Sequence, residues 1–384
     1  MDGLSSYLYV DPADETPTLP RSVIRRALMN YMTPDTRIGL AHVFLDSTLY
    51  AAAIAGVLFL DPLWLKVVCG ILAGIKIGTL GTLAHDAAHG SLVKSQRLNK
   101  LLAIACFMPG LFNYRLWLYD HHHVHHPKAN GRHRDSWTPL SKEEFDGLPR
   151  VRQLLERFYR SSLGLGYAPY YIFERWLVVK FFPRSFLPAQ LRASAWRYFG
   201  VLAVYLVAFI GALAAAPLYS RTGSWTAISL GFALPFYVWM TLYSFTVYVH
   251  HTHARIPWFD DSTDRNSAVP PESISVLLGF PDWFHHLTHS IYVHPVHHVN
   301  VRIPYYRLIA AQRHLNDLVG DAAIVEPFSF RWLRETLRSC RLYDYETHRW
   351  LDFDGRPTYP AVAPSRQRSA MLGYGADTMF TPGT

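Results

Sequence analysis

The chain has 384 residues, of which 50% are hydrophobic and only 17% charged. That charged share lies well under the roughly 25% of ordinary globular domains, which excludes a soluble domain with a fully charged surface, while 15% aromatic content excludes a disordered chain. A formal net charge of +8 suits an anionic membrane surface or an acidic partner, and the three scattered cysteines, none in a CxxC pair, exclude a disulfide framework, a zinc ribbon and a cysteine-ligated iron–sulfur cluster.

Residues 1–40 read as a polar cytosolic segment. They hold no basic stretch running into an apolar core, so no cleaved signal is expected. Two apolar runs follow, Ala41–Leu60 and Leu63–Ala84, joined only by Asp61 and Pro62. Each reaches the roughly 20 residues that a helix needs to cross a bilayer. Leu101–Leu118 is also apolar but contains Pro109, Asn113 and Arg115, which predicts an interfacial or re-entrant helix. Phe199–Leu218 and Trp225–Val249 form a second pair of spans, joined by a short polar stretch with Arg221. Residues 355–384, rich in Pro, Gly, Ser and Arg, read as a flexible tail. The expected fold is all-α: four transmembrane helices in two hairpins, with a membrane domain over 41–354 that includes a cytosolic cap.

Lysine and arginine counts set the orientation. Residues 1–40 carry 4, residues 85–197 carry 17 and residues 250–384 carry 13, against 1 in the two short connections. Both termini and the long middle segment are therefore expected in the cytoplasm. Span two carries Gly70, Gly74 and Gly78, a strip that predicts close helix packing. Lys76 lies in the same span and Asp46 at similar depth in span one. Charges at that depth are costly, so the two are expected to pair.

Of 20 histidines, 16 fall in four clusters, and all four lie on the predicted cytoplasmic side. His85 and His89 are spaced i,i+4 and share a helix face. His122, His125 and His126 read HxxHH, and so do His294, His297 and His298. His250, His251 and His253 follow span four, and His285, His286 and His289 precede the last triple. Two triples and a pair supply eight imidazoles, which implies two metals, or one metal with many spectators; imidazole suits Zn, Cu, Fe or Ni. His121 and His123 cannot face the same point as their neighbours and are expected behind the ligands or toward solvent. His42, His133, His314 and His348 read as ordinary isolated histidines. HExxH, GxSxG, P-loop and GxGxxG motifs are absent, which argues against a zinc protease, a serine hydrolase and a dinucleotide enzyme. A zinc hydrolase with histidine-only ligation and a membrane metal carrier stay open, although a carrier should place its ligands within the spans. No nucleic-acid partner is expected.

These residues resemble the membrane fatty acid desaturase and hydroxylase superfamily, whose three histidine boxes stand here as His85-Asp-Ala-Ala-His89, His122-His-Val-His125-His126 and His294-Pro-Val-His297-His298. Tyr248-Val-His-His-Thr-His253, Arg134-Asp-Ser-Trp-Thr-Pro-Leu140 and His297-His-Val-Asn-Val-Arg-Ile-Pro-Tyr-Tyr-Arg-Leu308 are similar to the acyl-lipid, Δ12-like branch. The resemblance covers roughly residues 40–320. It implies a helical membrane domain whose cytosolic cap holds two iron ions, with the eight box histidines as ligands and catalytic residues. It implies a ninth ligand outside the boxes, for which register points to His251, then His286, then His289. Dioxygen would be the co-substrate, a fatty acyl chain the substrate and membrane lipids the surroundings. No His-Pro-Gly-Gly haem motif is present, so electrons should come from an external donor such as a ferredoxin or cytochrome b5. Desaturation is the expected outcome; hydroxylation, or oxidative decarboxylation to a terminal alkene, would use the same residues. Asp86 and Asp120 are candidates to orient imidazoles. Trp117, Tyr243, Phe245 and Tyr248 are candidates for the wall of an acyl tunnel.

Overall fold

The structure, a computed structural model, describes residues 19–132, 135–184, 186–260, 269–320 and 323–361. The tail expected over 355–384 therefore lies mostly outside the described residues, as does His133. Among the described residues, four helices are long and apolar enough to cross a membrane: Thr36–Phe59, Leu63–Ala88, Ala189–Ala214 and Ser224–His251, here spans one to four. Span three starts ten residues before the apolar run Phe199–Leu218, because Ala189–Tyr198 is amphipathic and continues the helix in the polar region. Span two extends past its apolar stretch through His85 and Asp86, and span four through His250 and His251. The histidines thus inherit rigid helical backbone from the spans.

Span two is the most enclosed of the four and packs between spans one and four. The glycine strip explains how. A Cβ on Gly70 would stand 2.6 Å from Leu230 O, and one on Gly74 would stand 2.7 Å from Pro235 O, so only glycine admits this backbone-to-backbone approach. The third tight position is Gly81, against the Trp239 ring, rather than Gly78. Span four itself carries a π-helical turn, Ser229–Ala233, directly ahead of Pro235, whose ring an unbroken α-helix would not accommodate. The expected pair is present: Lys76 Nζ donates to Asp46 Oδ1 at 2.7 Å. At the other end of the spans, the buried Lys66 donates to Val57 O at 3.0 Å and to the Thr222 hydroxyl, which itself donates to Leu58 O, tying the two interhelical turns together.

The run Leu101–Leu118, expected as one interfacial or re-entrant helix, is instead divided between two helices, with the break at Pro109 and Asn113. Gln96–Phe107 ends ahead of Pro109, and Tyr114–Tyr119 begins again after Asn113, which accepts from Arg115 N and Leu116 N and donates to Ala195 O on span three. This second helix runs into a π-helical turn, Asp120–His125. Two small sheets correct the all-α expectation: β1 (Val276–Gly279) pairs parallel with β2 (Ile324–Pro327), and β3 (Leu342–Asp344) pairs antiparallel with β4 (Arg349–Leu351). Each strand has three or four residues, too few for an alternating pattern to stand out in sequence. The main core gathers Ile24, Leu28, Leu83, Trp117, Trp239, Val296 and Leu308, so the segment before span one is packed into the body of the protein.

Candidate metal centre

Four segments distant in sequence deliver the histidines to one place: the end of span two, the π-helical turn, the end of span four and the helix Pro295–Val299 with His294 at its cap. Two groups of ring nitrogens form, each with its ligand atoms within 4.8 Å of one another. The first is His85, His89, His121 and His297; the second is His125, His251, His294 and His298. His126 stands between the groups, its Nε2 3.0 Å from that of His121 and 3.2 Å from that of His297, and its ring centroid 4.8 Å from that of His298. His122 stacks on His89 at 4.6 Å. The eight box histidines and His251 are therefore all gathered here.

The alternatives for a ninth position lie outside both groups. His286 is exposed, and His289 Nε2 lies 2.6 Å from Asp46 Oδ2. His253 is also spoken for, with Nε2 against Glu326 and Nδ1 accepting from Arg255 N. His42 bonds the Tyr305 hydroxyl, His314 packs edge-on to Tyr31, His348 donates to Trp258 O, and His123 is exposed beside Tyr119. His121 departs from expectation: it is buried inside the first group. The reason is helical pitch. A π-turn places residues i and i+5 on one face, which brings His121 onto His126, whereas α-helical spacing alone had set it aside. His250, whose ring stacks on His294 at 3.8 Å, is a further neighbour that no box spacing pointed to.

Hydrogen bonds fix which ring nitrogen is free to bind. His85 Nδ1 faces Asp86 Oδ1 at 3.1 Å, and His125 Nδ1 faces both oxygens of Asp135 at 3.0 and 3.1 Å. His251 Nδ1 faces Ile274 O at 3.0 Å and Asn130 Oδ1 at 3.1 Å. Carboxylates and carbonyls only accept, so each of these Nδ1 atoms carries the proton and each Nε2 presents a lone pair. Asp86 thus holds the role expected of it, and its other oxygen accepts from Tyr305 N at 2.6 Å. Asp120 does not: it pairs with Lys180 and Arg175. Asp135 and Asn130 take the orienting roles that the boxes leave unassigned; the only sequence hint was that Asp135 falls in the family-like segment after the second box.

Six of these rings are held toward the neutral form. Burial first, and neighbouring imidazoles second, hold His121, His126, His294, His297 and His298 well below the ordinary histidine range, and push His122 down to about 3. Neutral imidazoles are what a cation needs. The Nε2 of His294 lies 2.9 Å from that of His298 and 3.2 Å from that of His251, and one shared proton can join only two of the three. Two nitrogens bound at right angles to one ion at about 2.1 Å stand about 3.0 Å apart, which is the spacing seen. Both ring nitrogens of His89 are buried without a hydrogen-bond partner among the described residues. The donor set fits a pair of divalent metal ions.

An apolar cavity of about 290 Å³ leads to both groups. Gly78, Gly81, Trp239 and Tyr243 line its course between spans two and four, and His85, His121, His125, His251 and His294 close its end. Trp117 and Tyr243 are in its wall as expected. Phe245 and Tyr248 are not: Phe245 packs on Tyr167 and Phe328, and Tyr248 is fully buried against Trp137. Residues 245 and 248 sit on the face of span four turned toward Trp137, Tyr167 and Phe328, where aromatic character serves packing.

With this geometry in hand, comparison with known proteins gives one answer. The fatty acid desaturase family model matches residues 62–327. A chloroplastic omega-6 fatty acid desaturase of Spinacia oleracea is 29% identical over 74% of this chain and 60% of its own length. An sn-1 oleoyl-lipid 12-desaturase of Synechocystis sp. is 28% identical over 80% of this chain and 84% of its own. An sn-1 acyl-lipid omega-3 desaturase (ferredoxin) of the same organism is 27% identical over 81% and 84%. The chain spans about two thirds of the length of the chloroplastic relatives and most of the length of the bacterial ones. The shared region holds all four histidine-bearing segments, and the protein belongs to the fatty acid desaturase family.

Proposed function

We propose that the protein is a membrane enzyme that inserts a double bond into a fatty acyl chain, with two irons as its oxidising cofactor. The observation that carries this reading is the apolar cavity between spans two and four that ends on both imidazole groups. An alkyl chain has no acidic proton and no electrophilic carbon, so general acid–base or nucleophilic chemistry cannot act on it. Two irons, reduced from outside, would supply the dioxygen-derived oxidising power that such a C–H bond requires. Overall, the saturated segment, dioxygen, two electrons and two protons give the alkene and two waters.

The chain's own part is to hold, orient and enclose. His85, His89, His122, His125, His126, His251, His294, His297 and His298 would hold the metals, together with His121, which lies inside the first group. Asp86, Asp135, Asn130 and the Ile274 carbonyl fix the rings that they contact. Trp239 and Tyr243 confine the chain so that a chosen pair of carbons lies at the histidine end, since placement decides the outcome of so reactive a step. The apolar wall keeps bulk water from the reacting carbons. The lysine and arginine distribution supports a cytoplasmic location for both termini, the cap and the site, with two transmembrane hairpins below. The same basic surface suits an acidic electron donor, and the ferredoxin named for one relative makes a ferredoxin the first to try.

Lipid and hydrocarbon profiling of cells expressing the protein tests the reading. A product with unchanged carbon count and two hydrogens fewer supports it. An alcohol, or a terminal alkene one carbon shorter, would replace desaturation with hydroxylation or decarboxylation at the same site.

A further inference from the structure

His289 is outside both metal-facing groups, yet its surroundings are unusual. His289 and Ser290 both hold left-handed backbone, at φ 51° and 54°, a conformation that residues with side chains rarely adopt. The turn aims the ring at span one, where Nε2 meets Asp46 Oδ2 at 2.6 Å while Lys76 occupies Asp46 Oδ1. The carboxylate only accepts, so His289 Nε2 carries a hydrogen and, in the neutral ring, Nδ1 presents a lone pair. That Nδ1 is buried and has no hydrogen-bond partner among the described residues. Nδ1 of His297 is in the same condition.

Both residues border one small cavity of about 10 Å³, with Thr82, Asp86 and Tyr305 also on its wall. Such a space holds about one water, provided two or more polar groups face it. His297 Nε2 is turned to the metal-facing cluster, 3.2 Å from His126 Nε2. A metal-bound imidazole donates its other N–H to a carboxylate, a carbonyl or water. His85, His125 and His251 each find a protein acceptor, as described above; His297 finds none among the described residues.

We propose that an ordered water in this cavity accepts from His297 Nδ1–H and donates to His289 Nδ1, making Asp46 the remote carboxylate that orients His297. The donor sequence is consistent at every step: His297 to water, water to His289, His289 to Asp46, with Lys76 balancing the carboxylate. His289 and Asp46 are then positioning residues, and the Asp46–Lys76 pair gains a purpose beyond neutralising charge within a span. The proposal rests on the reading that the first group binds metal.

Two measurements on the full-length protein test it. The first is a density map of the wild type fine enough to show ordered water. A water within hydrogen-bond distance of Nδ1 of both His289 and His297 is expected; a dry cavity, or a side chain in that place, overturns the proposal. The second is iron affinity by chelator competition. His289→Leu should weaken the ion in the His297 group about 10–100-fold, His289→Gln should restore much of it, and His348→Ala should leave it unchanged. The melting temperatures of the metal-free variants separate this from general damage: equal loss of affinity in His289→Leu and His289→Gln, or affinity equal to wild type in both, overturns it. A wild type that takes up no iron would instead refute the metal-centre reading, and the water map would still decide the proposal.

Discussion

Replacing Asp135 with asparagine tests the ring-orientation argument at its strongest point. Both carboxylate oxygens face His125 Nδ1, at 3.0 and 3.1 Å, and Oδ1 also accepts from Ser136 N at 2.7 Å. Burial alone would raise this carboxyl, but the His125 ring and its hydrogen bond hold it below the usual carboxylate range, so it stays an anion. Asparagine keeps the shape but removes the charge, and offers His125 an amide that can turn its NH₂ toward the ring. A ring that accepts at Nδ1 carries its proton on Nε2, which turns a donor away from the second group. Removing such a partner typically weakens metal binding about 10–100-fold, or about 1.4–2.7 kcal/mol. Chelator competition on purified protein would read this directly, with iron content and turnover beside it. The expected result is selective loss of the ion in the His125, His251, His294 and His298 group, with a nearly unchanged apo melting temperature. Asp135→Asn protein that keeps both metals at wild-type affinity would refute the reasoning.

Further outcomes follow from other parts of the structure. His121→Ala should lower metal occupancy, whereas His123→Ala, two residues on but exposed, should not; metal analysis of the two proteins side by side decides this. Gly74→Val should prevent correct packing of spans two and four, because a Cβ there would stand 2.7 Å from Pro235 O and 2.6 Å from Val238 Cβ; loss of monodisperse protein in detergent is the readout. Asp46→Ala should cost about 3 kcal/mol or more by leaving Lys76 unpaired in an apolar span, and Asp46→Ala with Lys76→Met should recover part of it in thermal melts. Tyr243→Ala, which enlarges the cavity wall, should shift the acyl chain length accepted while leaving metal content unchanged, as product analysis would show.

What was legible in the sequence was whatever rests on one local period. The spans showed as apolar runs, the glycine strip as a four-residue repeat, and the boxes as imidazoles at i, i+3 and i+4. The Asp46–Lys76 pair was legible because two charges at one depth leave few other solutions. What stayed hidden depends on departures from a period or on tertiary approach. The π-turn at Asp120–His125 changes which histidines share a face, and brought in His121. Asp135, Asn130 and the Ile274 carbonyl reach their rings from loops with no fixed spacing to the boxes. Phe245 and Tyr248 looked like tunnel residues because aromatic character is the same whether it faces an acyl chain or a packed core. His289 was weighed as a ligand by its nearness to the third box, and only the left-handed turn at 289–290 shows that it points at span one instead.

The central claim is that two metal ions sit side by side at the end of the apolar cavity. Anomalous scattering at the iron edge from crystals of iron-loaded protein tests it most directly. The account predicts two peaks, one among His85, His89, His121 and His297 and the other among His125, His251, His294 and His298. A single peak, or iron bound away from these rings, would contradict it.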